Sequence, residues 1–283
     1  MDLEALQAFE LKPIVHEYGQ KDSMLYALGL GYGSDPIDPT QLQFVYEQGL
    51  RSVPSICVVL AHPGFWINRP ELKINWIKVL HGEQAFQIHR PIPAEGIVRG
   101  EYEVTAVEDK GEKGGVMYVT KTLYDGSTNE LLANVTSVYM LRGDGGCGSF
   151  GQPPALLDAM PGHEPNWTYD VSTLPQSALI YRLSGDRNPI HADPQAAQNI
   201  GFERPILHGL CSLGLATRAI IATAAEGDPD RIRTLSVRFS SPVYPGETLR
   251  VAIYRDGDRL RFSARVLERD LLVLDRGTAT LTN

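Results

Sequence analysis

The sequence predicts an α+β protein made of two tandem copies of one unit, each a buried apolar helix followed by a meander of antiparallel strands. Three observations carry this. In each half of the 283-residue chain four successive segments alternate apolar and polar residues, as half-buried strands do, while the stretches after Pro54 and Pro205 are apolar on every face, as a helix enclosed by a sheet must be. The halves also match in order and spacing. Pro54 and Pro205 are 151 residues apart, as are Pro91 and Pro242, and Tyr26-Ala-Leu-Gly29 answers Tyr181-Arg-Leu-Ser184 at 155. Third, a stretch rich in glycine and proline, with no periodicity, separates them.

Taken in order, residues 1–25 read as a short amphipathic lead-in. Gly29, Gly31 and Gly33 follow, but no GxxxxGK[ST] pattern and no preceding strand support a phosphate loop. Asp38-Pro39-Thr40 has the chemistry of a helix start, and a helix is expected through Tyr46–Gln48. Pro54 opens the apolar segment Ser55–Ala61. Strands are expected at Phe86–Arg90, Gly100–Val107, Gly115–Tyr124 and Leu131–Leu141, with Asp109-Lys-Gly111 and Asp125-Gly126 as hairpin turns. The first unit is set at 1–145, the linker at 146–165 and the second unit at 166–283. In the second unit Asp193-Pro194 starts a helix ended by Gly201. A long apolar helix runs from Gly209 to about Ala225, and strands lie at Thr234–Phe239, Thr248–Arg255, Arg259–Leu267 and Leu271–Thr282.

The chain is organised around Tyr181-Arg-Leu-Ser-Gly-Asp-Arg-Asn-Pro-Ile-His191. Asp186, Asn188 and His191 fall within six residues of one another, in a stretch that Gly185 and Pro189 keep from being a helix. A rigid loop aims all three at one small volume, where they can hold a water molecule and move protons to and from it. The first unit has Gly31-Tyr32-Gly33 where the second has Asp186-Arg187-Asn188, so one active site per chain is expected.

Composition narrows the function. A charge of −8 without any basic run argues against nucleic acid as a partner. Cys57, Cys147 and Cys211 are odd in number and far apart, which predicts reduced thiols and no zinc site. Leu207–Ala225, the most apolar stretch, contains His208 and Arg218 and reads as a buried helix, not a membrane span. No leader pattern is read in residues 1–13, nor a peroxisomal address in Leu281-Thr-Asn283, so a soluble cytoplasmic protein is expected.

The central stretch, with Ala197 six residues beyond His191, resembles the signature of the (R)-specific enoyl-CoA hydratases of the MaoC-like family. Tyr26-Ala-Leu-Gly29, Val79-Leu-His-Gly-Glu-Gln84, Pro205-Ile-Leu-His-Gly-Leu-Cys211 and Pro242-Val-Tyr-Pro-Gly246 resemble the hydratase portion of peroxisomal multifunctional enzymes. The resemblance implies a double hotdog fold with a catalytic second unit and a degenerate first unit that binds the acyl tail. It implies reversible syn hydration of trans-2-enoyl-CoA to (R)-3-hydroxyacyl-CoA in fatty acid metabolism such as β-oxidation, no cofactor or metal, and a homodimer. It further implies that Asp186 and His191 are the acid–base pair, that Asn188 orients water or substrate, and that His81, Gly82, Lys110, Gly209 and Phe239 touch substrate. Arg187, Pro189 and Ile190 line the same loop and are assigned to substrate contact, Arg187 at a position the signature leaves free. Gly209 opens a helix, where a free N–H can receive the charge that builds on a thioester oxygen. Two rival readings are a hotdog thioesterase and a non-catalytic acyl-CoA-binding subunit; the intact Asp186-x-Asn188-x-x-His191 set favours hydration over both.

Overall fold

Strand pairing reproduces the duplication in the order of the strands. The structure, a computed structural model, describes residues 1–282. The first half contributes α1 (Leu3–Gln7), β1 (Ile14–Tyr18), α2 (Gln20–Gly29), α3 (Pro39–Leu42), β2 (Val79–Ile88), β3 (Gly96–Asp109), β4 (Gly115–Asp125) and β5 (Leu131–Leu141). After the two-residue strand β6 (Phe150–Gly151) come β7 (Trp167–Ser172), α4 (Ser177–Tyr181), α5 (Pro194–Asn199), α6 (Gly209–Ala222), β8 (Ile232–Phe239), β9 (Thr248–Asp256), β10 (Arg259–Val266) and β11 (Leu271–Leu281). The strand order is β1-β3-β4-β5-β2 in one half and β7-β9-β10-β11-β8 in the other. The halves join where β2 pairs antiparallel with β8, from Glu83↔Arg238 to Gln87↔Thr234, so a single sheet runs through the molecule. Arg238 donates from both Nε and Nη2 to Glu83 Oε1 at this seam, at 2.8 and 2.7 Å.

The apolar helix of the second half is present as expected. Cys211 through Ile221 of α6 are all buried. Thr217 Oγ1 donates to Leu213 O at 2.9 Å, and the Arg218 guanidinium reaches Leu30 O at 3.0 Å and Ser34 Oγ at 3.0 Å in the first half, while its buried Nε has no partner. The main core gathers α6, the inner faces of both half-sheets and the buried tyrosines Tyr26 and Tyr181.

Three expectations need correction. The helix after Pro54 is a five-residue 3₁₀ helix, Pro54–Val58, although its residues are fully buried. The chain beyond it packs Trp66, Ile67, Leu72 and Ile74 into a second core with Leu6, Val107, Met117 and Leu141. The helix begun at Pro39 ends at Leu42, with Asp38 capping Thr40 N, because no apolar face extends it. Finally, β1 and β7 were not expected. Both are edge strands paired on one side only. In β1 the inward set contains His16 while Val15 is 67% exposed, which scrambles the alternation. The linker has little regular structure and is pinned to the second half, where Arg261 and Arg276 donate to Asp158 O and Leu157 O.

Candidate active site

Gly185 turns the chain out of the turn that follows α4 with φ +133°, a conformation open to glycine. Asp186 Oδ1 then accepts from Asn188 N at 3.0 Å, and Asn188 Oδ1 accepts from Ile190 N at 3.2 Å, capping the 3₁₀ turn Pro189–His191. Asn188 therefore spends its carbonyl oxygen on the loop, while its NH₂ donates to none of the described residues. Arg187 and Pro189 are exposed; Ile190 is half-buried and accepts Ile206 N through its carbonyl.

His191 is buried, and its Nδ1 lies 2.8 Å from Ile206 O. A carbonyl only accepts, so Nδ1 carries the proton and Nε2 presents a bare lone pair, 4.0 Å from Asp186 Oδ2. Burial lowers the His191 pKa below its ordinary value, against the opposing pull of Asp186, so the ring is neutral at pH 7. Burial alone would raise the Asp186 carboxyl. His208, His191, the Asn188 N–H and His62 outweigh it and hold the group below the usual carboxylate range.

His208, from the N-terminal end of α6, stacks on His191 with ring centroids 3.6 Å apart and 21° between planes. Its Nε2–H donates to Asp186 O at 3.1 Å, so one side chain braces both members of the pair. Burial, then His191, pushes its pKa down to about 3. Atoms of Asp186, His191 and His208 lie within 4.8 Å of one another, the one grouping among the described residues able to offer three ligands to a metal.

The expected substrate contacts separate into two groups. Gly209 and Phe239 are in contact: a Cβ built on Gly209 would lie 3.3 Å from the Phe239 ring. His81 stands 5.1 Å from the Phe239 ring and 5.1 Å from the Tyr139 ring, and its buried Nε2 has no partner. Burial pushes its pKa down to about 4, while Asp186 pulls the other way. Gly82 sits at an irregularity between His81 and Glu83 in the β2–β5 pairing, which re-aims His81. Lys110 is farther out, on the β3–β4 turn, where its Nζ pairs with Glu108 at 2.8 Å. Register places that turn at the His81 end of the sheet: Asp109 is opposite Gly115, Gly115 opposite Leu141, and Leu141 opposite Val79.

Two neighbours of Asp186 escaped sequence reading. His62, from the first half, approaches the Gly185–His191 loop: a Cβ on Gly185 would lie 3.7 Å from His62 Cβ. Asp186 acts on its charge, although burial dominates and lowers its pKa. Tyr139 pairs with His81 across β5 and β2. The one signal for His62 is an imidazole closing an otherwise apolar run.

Residues 16–143 match the family model described as MFE-2 hydratase 2 N-terminal domain, and residues 157–275 that of the MaoC like domain. Enoyl-CoA hydratase 2, peroxisomal, of Arabidopsis thaliana is 35% identical over 287 residues, covering 96% of this chain and 93% of the relative. This chain belongs to the MaoC-like hydratase 2 family. The crystal structure of a MaoC-like dehydratase from Phytophthora capsici, at 32% identity, superposes on this family member with a TM-score of 0.88 over 100% of this chain and 99% of the other. The architecture is a double hotdog, as in a Mycobacterium tuberculosis protein of that fold with a TM-score of 0.59; at 15% identity that likeness speaks for fold alone. Among the described residues no helix is long and apolar enough to cross a membrane.

Proposed function

We infer that this chain is a hydro-lyase that adds water reversibly and syn to trans-2-enoyl-CoA, yielding (R)-3-hydroxyacyl-CoA. The observation that carries the reading is the bare Nε2 of His191 at 4.0 Å from Asp186 Oδ2. One water molecule can accept that span as a bridge, with each of its hydrogens aimed at one of the two bases. In the resting state both groups lack a proton to give, since His191 is neutral with its only proton tied to Ile206 O and Asp186 is ionised. The proton that reaches the α-carbon is therefore the one that water has surrendered to the pair, and the hydroxyl goes to the β-carbon. Because both bases stand together, both additions fall on one face of the alkene. Gly209 N–H, free of the helical ladder, faces the thioester oxygen as enolate charge develops; such a donor contributes about a hundredfold or more in rate.

In this reading His81, Gly82 and Phe239 border the thioester, and Lys110 takes the CoA portion at the same end of the sheet. Arg187, Pro189 and Ile190 form the outer wall. The acyl tail runs past the catalytic loop into the first half, where the helix is reduced to five residues. Water and thioester suffice for the chemistry, so no cofactor is required. A homodimer in a reducing cytoplasm completes the proposal, in keeping with three free thiols, two of them buried.

The test follows the ultraviolet absorbance of crotonyl-CoA and of a long-chain enoyl-CoA. Wild type is expected to consume the enoyl absorbance and form the (R)-alcohol, with Asp186→Asn and His191→Ala each slower by roughly 10²–10⁴-fold. Release of free CoA thiol from a saturated acyl-CoA, with the enoyl absorbance untouched, would replace hydration with thioester hydrolysis.

A further inference from the structure

The first half carries Gly31-Tyr32-Gly33 where the second carries Asp186-Arg187-Asn188, and this counterpart loop also packs on α6. Its partner there is Arg218. Gly31 makes room for it: the residue is left-handed, with φ +77°, and a Cβ would lie 2.7 Å from Arg218 Nη1. Arg218 is 6% exposed. Its Nη1 donates to Leu30 O at 3.0 Å, and its Nη2 to Ser34 Oγ at 3.0 Å and Gln41 Oε1 at 3.3 Å. All three acceptors are neutral, and among the described residues no carboxylate pairs with the guanidinium. A buried cation without a counter-charge is costly.

Two buried donors at this place have no partner among the described residues: Arg218 Nε and the hydroxyl of Tyr32, a residue 4% exposed. Burial raises the Tyr32 pKa, although Arg218 pulls the other way, so the hydroxyl keeps its proton. The guanidinium lies over the Tyr32 ring, 5.1 Å from its centroid. Both residues line one cavity of about 20 Å³, together with Asp38, Gln41, Tyr169 and Ile221. That volume takes one water molecule or one monatomic ion. Asp38 is the single carboxylate on its wall. Both Asp38 oxygens are already engaged, Oδ1 by Thr40 N and Oγ1 and Oδ2 by Gln41 Nε2, and its charge opposes a divalent guest.

We propose that this first-half counterpart of the Asp186–His191 loop is a structural anion site: a monovalent anion of halide size accepts from Arg218 Nε and the Tyr32 hydroxyl and fastens the Gly31–Gln41 segment to α6. The two unpartnered groups are both donors, and one of them is a cation. A water molecule accepts both bonds but leaves the buried charge uncompensated; chloride does both.

The experiment soaks wild-type crystals in sodium bromide and records anomalous scattering at the bromine edge. Melting is then compared in potassium chloride and in potassium gluconate of equal ionic strength, gluconate being too large for the cavity. A bromide peak is expected within hydrogen-bonding reach of Arg218 Nε and Tyr32 Oη, with melting about 2 °C or more higher in saturating chloride. Tyr32→Phe, which removes only the hydroxyl, should raise the chloride midpoint about threefold or more, and Arg218→Met should abolish the chloride gain. An ordered water in the cavity that bromide does not displace, or bromide bound only elsewhere, overturns the proposal. So does a chloride gain that Tyr32→Phe and Arg218→Met leave whole. Should Arg218→Met not fold, Tyr32→Phe decides in its place. None of these readouts is turnover, so a failure here leaves the hydration reading standing, and the reverse holds too.

Discussion

A single methyl group at position 209 tests the oxyanion donor. Gly209 lies outside the left-handed region, so alanine can adopt its backbone, and in a helix alanine is favoured over glycine by up to ~1 kcal/mol. Thermal stability should therefore hold or rise. The new Cβ, however, would sit 3.3 Å from Cδ1 and Cε1 of Phe239 and 3.4 Å from its Cγ. Carbon atoms prefer about 3.5–4.0 Å, so the ring or the start of α6 must yield by a few tenths of an ångström. A misplacement of about 1 Å can cost a hundredfold, which puts the loss for this smaller shift at about tenfold in kcat. The remedy is specific: Phe239→Leu relieves the contact, so the double variant should recover most of the lost kcat. The assay is steady-state hydration of one enoyl-CoA by the four members of the cycle, with melting curves alongside. Wild-type kcat in Gly209→Ala, or an equal loss with and without Phe239, would refute the reasoning.

Two further expectations concern protons. Because burial lowers the His191 pKa below its ordinary value of 6.5, kcat/KM should stay level through neutrality and fall only on the acid side of 6.5, where Nε2 is occupied. Removing the Asp186 charge removes the contribution that raises this pKa, so an NMR titration of His191 in Asp186→Asn should move further to acid; movement toward alkali would contradict the assignment. His208 is held neutral down to about 3 in the fold but titrates near 6.5 once unfolded. Between those values the unfolded chain binds the proton that the fold refuses, so stability falls as pH drops below 6.5. His208→Gln, whose amide can still donate to Asp186 O, should lose less stability than wild type between pH 7 and pH 5 in urea titrations; parallel losses would show that the stacked ring is not the titrating group.

What was legible in the sequence follows from short-range rules. The alternation of β3 to β5 and β8 to β11, the apolar run of α6 and the Gly185–Pro189 punctuation of the Asp186–His191 loop each depend on neighbours a few residues apart. The duplication was legible because insertions between its landmarks are few, and β2 with β8 is its structural centre. β7 went unread although Trp167, Tyr169 and Val171 alternate with Thr168, Asp170 and Ser172, because it directly follows the aperiodic linker. Asp186, Asn188 and His191 could be singled out together because all three share one loop.

The tertiary structure decided what depends on groups far apart in the chain. Two apolar runs of similar character, after Pro54 and Pro205, have different fates: Lys121, His16 and Tyr102 bind the backbone of the first ahead of Pro63, while the second runs on as the helix α6. His62 and His208 reach Asp186 from opposite halves, an encounter that no spacing encodes. Periodicity reports which face of an element is apolar; which backbone groups remain free, and what stands opposite them, is settled only when the sheet closes over the helix.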